Sequence, residues 1–257
     1  MKIRLLLAAA SIGFIFLFVG VLAAEAAELK VLSSLAMRPV MEDLGPKFER
    51  ATGHKLAITF GNLGAIVKRV QGGETADVVV IPRQGIDRLV KDGKAAAGNV
   101  TALARTGFSV AVREGAPKAD ISSPDAFKRT LLAAKSITYA NPAATAAGAH
   151  VANVLDRLGI ASEMKSKTVF PKSGPVAVLV ANGEAEIAVH HHIQLIGVSG
   201  IEIIGPLPGD LQLFDSFTAA IMAGASDAEA SKALVNFLRT PEAAVVIKTK
   251  GLEPATP

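Results

Sequence analysis

"YANPAATAAGAHVANVLDRLG", residues 139–159, decides the fold. A strand-like end at Tyr139-Ala140 runs into Asn141-Pro142. Small residues follow, and then apolar residues at helical spacing, Val151, Val154 and Leu155. The loop holds no obvious catalyst. The same strand, small-residue loop and helix recur three more times. In "SSLAMRPVMEDL" (33–44), Ser33 and Ser34 end a strand ahead of Met37, Val40, Met41 and Leu44. In "TFGNLGAIVKRV" (59–70), Gly61, Asn62, Leu63 and Gly64 join strand to helix. In "FPKSGPVAVLVANG" (170–183), Ser173 and Gly174 precede a helix.

Short apolar runs alternate with helical segments along most of the chain. Strands are expected at 29–34, 56–60, 77–81, 107–113, 136–140, 186–190, 201–205 and 217–224. Several are continuously apolar, as strands covered on both faces are. Ser123-Pro124 and Thr240-Pro241-Glu242 read as helix starts, and Ser226-Asp227-Ala228-Glu229 as a capping box. Such alternation predicts an α/β protein with mostly parallel sheets. In sheets of this kind ligands bind beyond the C-terminal strand ends, where helices begin. Small residues there let backbone N–H groups approach an anion, and a helix start supplies unpaired donors and partial positive charge. Several such ends aimed at one point make an anion site without a buried Lys or Arg. Taken singly, each junction is equally an ordinary capped loop.

Composition narrows the function. The chain has 257 residues, a net charge of +4 and only 5% aromatic residues, so neither a basic face nor a stacking platform for nucleic acid is evident. There is no cysteine, which removes disulfides and thiolate metal sites. Lys2 and Arg4 precede an apolar run, Leu5 to Ala24, and a small-x-small site at Ala24-Glu25-Ala26. This layout predicts a secretory signal peptide over residues 1–26, hence a periplasmic protein. The run is about 20 residues, long enough to act instead as an uncleaved anchor. No G-x-S-x-G elbow, H-E-x-x-H or phosphate-binding loop is present, so no catalytic role is expected.

Over nearly all of residues 28–254 the sequence resembles the periplasmic molybdate-binding proteins of ABC importers. The resemblance rests on the order and spacing of "SSLAMRPVMEDLGPKFERATGHKL", "IVKRVQGGETADVVV", "NPAATAAGAHVANVLDRLGI", "VLVANGEAEIAVHH" and "ALVNFLRTPEAAVVIKTKGLEP". It implies a type II periplasmic binding fold, two α/β lobes with a ligand cleft between them. The expected division is residues 28–113 plus 217–257 for one lobe and 114–216 for the other, with the chain crossing near 113–120 and returning near 206–216. It also implies a monomer that binds a small oxyanion of the molybdate or tungstate type and delivers it to an inner-membrane permease. No cofactor is implied.

By the same resemblance Ser34 matches a first-lobe serine donor. Asn62, Leu63 and Gly64 match a serine-rich loop, Ala147 a backbone donor, and Ser173 a further donor at a helix start. His191 falls where a tyrosine is common. The sequence departs from the pattern in three places: the second loop lacks its serines, the tyrosine position lies in His190-His191-His192, and Arg83 follows the "DVVVIP" strand. An arginine there can grip a carboxylate in two places. A receptor for a small organic carboxylate is therefore the alternative, beside a ligand-sensing subunit of a signalling system. Three adjacent histidines do not readily bind one ion, because neighbours in a strand point oppositely. His54 and His150 read as surface or junction residues.

Overall fold

One long strand organises the molecule. In a computed structural model that describes residues 26–255, β4 (Ala95–Arg113) pairs with different partners in its two halves. Through Gly107 it lies antiparallel to β9 (Phe214–Met222), and from Phe108 it lies between β7 (Ile187–His191) and β8 (Ile201–Pro206). Two lobes share this strand. All but the last residue of the leader expected over 1–26 lies outside the described residues.

The first lobe has the order β2 (Lys55–Gly61), β1 (Glu28–Ser34), β3 (Val78–Pro82), β9, β4, with β10 (Glu253–Pro254) also on β4. β2, β1 and β3 are parallel, while β9 runs against β3. Side chains alternate across β3: Val78 and Val80 face α1 (Arg38–Thr52), α9 (Ala228–Phe237) and α10 (Pro241–Thr249). Val79 and Ile81 face α2 (Leu63–Gln71) and α3 (Arg83–Lys91). Both faces are covered, which is why "DVVVI" carries no polar alternation.

The second lobe continues with β7, β5 (Ile137–Thr138) and β6 (Thr168–Val169), all parallel, while β7 and β8 both run antiparallel to β4. Phe108, Val110, Ile187 and Val189 form a core with α4 (Pro124–Ala133), α5 (Ala146–Arg157) and α6 (Ala161–Lys165). Ala111 and Ala188 point to the other face, against α7 (Val178–Ala181) and α8 (His192–Leu195).

Details depart from the sequence reading. The strand expected at 107–113 is only the second half of β4, whose first half is too polar and too rich in Ala to show a strand pattern. The change of partner falls at Gly107–Phe108, not near 113–120. The chain returns through 207–213, between β8 and β9. Gln212 fixes this joint, because its Oε1 accepts from the Phe108 N–H (2.8 Å) and its Nε2 donates to the Phe108 carbonyl (2.9 Å). Gly107 leaves room for that amide: a Cβ there would lie 3.0 Å from Gln212 Nε2 and from the Phe214 ring.

Ser123 and Thr240 cap α4 and α10 as read. The cap of α9 is Asp227 rather than Ser226. Ser226 is drawn to buried Asp77, whose Oδ1 accepts from its N–H and hydroxyl while Oδ2 accepts from the Lys30 N–H.

Candidate anion-binding cleft

In the first lobe the C-terminal ends of the parallel strands fall in register. Ser34 lies opposite Gly61, and Pro82 lies opposite Phe217 of β9. Ser34, Asn62 and Arg83 therefore stand on one edge, each at a helix start. Ser34 Oγ accepts the Ala36 N–H (3.2 Å) and still has its own proton to donate. Asn62 Oδ1 accepts the Ala65 N–H (2.8 Å) as the cap of α2. Leu63 packs inward, where a Cβ at Gly85 would lie 2.4 Å from its Cδ1, so it offers its backbone only. Arg83 is exposed, and its Nε donates to Asp87 (2.7 Å).

The second lobe contributes the start of α5. The Asn141 carbonyl accepts from Ala144 and Thr145, and Asn141 Oδ1 from Ala143. Thr145 Oγ1 then caps the Gly148 N–H (3.0 Å), and the Thr145 carbonyl accepts from Ala149. The N–H groups of Ala146 and Ala147 have no intrahelical acceptor, as in any first turn. Gly148 permits this geometry: a Cβ would sit 2.2 Å from the Ala140 carbonyl oxygen.

One turn along α5, His150 continues the site. Its Nε2 lies 3.0 Å from the Leu211 carbonyl, and its ring lies 4.6 Å from that of Phe108. Phe108 in turn lies 4.2 Å from the His191 ring, directly across the β4–β7 ladder. His191 Nε2 is 3.1 Å from Asp215 Oδ2, close enough for an ion pair although not aligned as a linear hydrogen bond. His191 belongs to the second lobe and Asp215 to the β9 strand of the first, so the pair bridges the two. The neighbouring imidazole holds the Asp215 carboxyl below the usual carboxylate range, against the opposing effect of burial. Burial lowers the pKa of His150.

The three consecutive histidines diverge. His190 Nδ1 accepts the His191 N–H (2.8 Å), and burial pushes its pKa down to about 4. β7 ends at His191, so His192 opens α8 instead of sharing a strand face with His190. His192 Nδ1 lies 3.1 Å from Ser109 Oγ, beside a cavity of about 440 Å³ also lined by Arg105, Gln212 and Lys248. Phe108 and Gly205 also line that cavity.

Ser34, Asn62 and Arg83 thus share one strand edge, and Ala147 and His191 are linked through His150 and Phe108. Ser173 sits exposed in the loop before α7, whose N-cap is Ala177 rather than Ser173, and no described contact ties it to the others. His150 and Asp215 belong to the cluster and escaped the sequence reading. His150 was legible as the residue one turn beyond Ala147 on the same helix. Asp215 was hidden because the strand was expected to begin at Phe217.

The family profile described as bacterial extracellular solute-binding protein matches residues 29–253. The chain belongs to that family. It is a divergent member of the molybdate-binding type, and its fold is that of the periplasmic binding proteins. This solute-binding protein is 34% identical over 232 residues to an aconitate isomerase of Pseudomonas, covering 88% of this chain and 87% of that one. It is 31% identical over 239 residues to the molybdate-binding protein of Azotobacter vinelandii, covering 89% and 91%. Among solved structures, a substrate-binding domain assigned to a molybdenum ABC transporter of Clostridium difficile superposes with a TM-score of 0.81. That likeness covers 90% of this chain and 100% of the other at 14% identity.

Proposed function

We propose that this solute-binding protein is exported by its N-terminal leader, closes its two lobes on a small organic polycarboxylate, and presents it to an ABC permease. The observation that carries the choice of ligand is the absence of serine hydroxyls from the Asn62-Leu63-Gly64 loop. The hydroxyl donors expected around a tetrahedral oxyanion are depleted there. Asn62 Oδ1 is spent on its own helix and Leu63 is packed inward. The remaining donors are Ser34 Oγ, Asn62 Nδ2, the backbone at the start of α5, the imidazole edge and the Arg83 guanidinium. Separated donors of this kind suit an elongated ligand with several carboxylates better than one compact sphere of charge. A molybdate- or tungstate-like oxyanion is the second reading, favoured by the 31% identity to a molybdate-binding protein. Closure of hinged lobes around the ligand is the ordinary mode for this architecture.

A thermal-shift panel separates the two readings. It compares aconitate (propene-1,2,3-tricarboxylate), citrate and succinate with molybdate, tungstate, sulfate and phosphate. A ligand at about 100 times Kd stabilises by roughly 2.7 kcal/mol. For a chain of this size that raises Tm by about 5–10 °C. A tricarboxylate that stabilises while molybdate and tungstate do not is the expected result. The reverse would return the ligand to the oxyanion class.

A further inference from the structure

We propose that His191 and Asp215 form a proton-transfer pair, so that the cleft isomerises an unsaturated polycarboxylate as well as binding it. The inference rests on the carboxylate reading above, and three features of His191 carry it. Its Nε2 is buried and lies 3.1 Å from Asp215 Oδ2. Its ring lies 4.2 Å from that of Phe108 and tilted to it, and Phe108 in turn lies 4.6 Å from the His150 ring. Its Nδ1 makes no hydrogen bond among the described residues. A carboxylate this close to one nitrogen favours the proton there and leaves the other nitrogen as a base. A receptor that only captures an anion has no use for that arrangement, since a half-exposed carboxylate partner offsets the positive charge an anion would seek.

The chemistry needs no other reactant. Nδ1 of His191 takes a proton from the methylene carbon between a carboxylate and the double bond. The electron pair of the broken C–H bond forms a new C=C bond to the central carbon. The old π pair moves to the former vinyl carbon, where the proton held on Nδ1 is returned to make a new C–H bond. Donors at Ser34 and the start of α5 stabilise the negative charge that spreads onto the carboxylates in between. The double bond has moved by one position, and its geometry is reset when the new bond forms. His191 is the catalytic residue, and Asp215 is a positioning residue that acts through it.

The test uses the mature protein, propene-1,2,3-tricarboxylate in D2O, proton NMR and calorimetry. Wild-type protein is expected to interconvert the cis and trans acids over many equivalents and to place deuterium on the methylene carbon. His191→Gln should lower that rate at least 100-fold while Kd changes less than tenfold, in line with the usual contribution of a general base. Asp215→Asn should lower kcat with little change in KM, and Asp215→Glu should restore part of it. A structural role for Asp215 would instead move Kd and Tm. Binding without exchange in the wild type, or exchange that survives His191→Gln, overturns the inference and leaves the receptor reading intact. No heat of binding at all overturns the carboxylate reading itself.

Discussion

Ser34 shows how much one hydroxyl can do at such a site. Its oxygen accepts the Ala36 N–H, its own proton is left to donate, and it stands 7% exposed at the end of β1. Donation to a charged group contributes about 1.5–3 kcal/mol. Ser34→Ala should therefore weaken ligand binding by roughly 10- to 150-fold with a small change in Tm. Calorimetry on the variant checks this, and unchanged affinity would remove Ser34 from the site. At this scale the sequence was half legible. Residues at strand ends are announced by the strand pattern before them, which is why Ser34, Asn62 and Arg83 are each legible as residues at a strand end. Long-range partners leave no such mark. Asp215 meets His191 only because β4 carries its two halves past different neighbours, and no local pattern near either residue encodes that.

The elements around the site depend on close approach and on dry histidines. α5 lies so near the Ala140–Asn141 backbone that Gly148→Ala would force the helix start away. Overpacking of this kind costs about 1–3 kcal/mol, or roughly 2–10 °C in Tm for a chain of this length. Because the same shift moves the Ala146 and Ala147 N–H groups, affinity should fall with it; a variant as stable and as tight as wild type would refute the close contact. At the end of β7, His190 is neutral when folded and accepts the His191 N–H. Its folded pKa of about 4 lies below the unfolded value of about 6.5. The unfolded chain thus binds the proton more readily, and stability that is complete above pH 6.5 is lost as pH falls toward 4. The Asp215 shift acts in the same direction, since a depressed carboxylate also loses its contribution in acid. Denaturation midpoints across this range should fall less steeply for His190→Gln than for wild type, and parallel curves would contradict the assignment. The strands were legible where apolar runs were continuous, as at 77–81. The two-residue strand β6 and the first half of β4 were not, because pairing rather than local propensity makes them.

At the scale of the whole molecule, two lobes meet at β4 and at the 207–213 return, with Gln212 clasping both backbone groups of Phe108. The general architecture was legible from strand–helix alternation and from the resemblance to periplasmic binding proteins. The joint was not, because a strand shared between two sheets reads as one run of indifferent pattern. The central claim is that an organic polycarboxylate is held between the strand edges of both lobes. The most direct measurement is a crystal structure of the protein grown with propene-1,2,3-tricarboxylate. The account predicts ligand density with hydrogen bonds to Ser34 Oγ on one side, to the Ala146 or Ala147 N–H on the other, and to His191 Nδ1 at the floor. Density confined to one lobe, or to the cavity lined by Ser109 and His192, would contradict it.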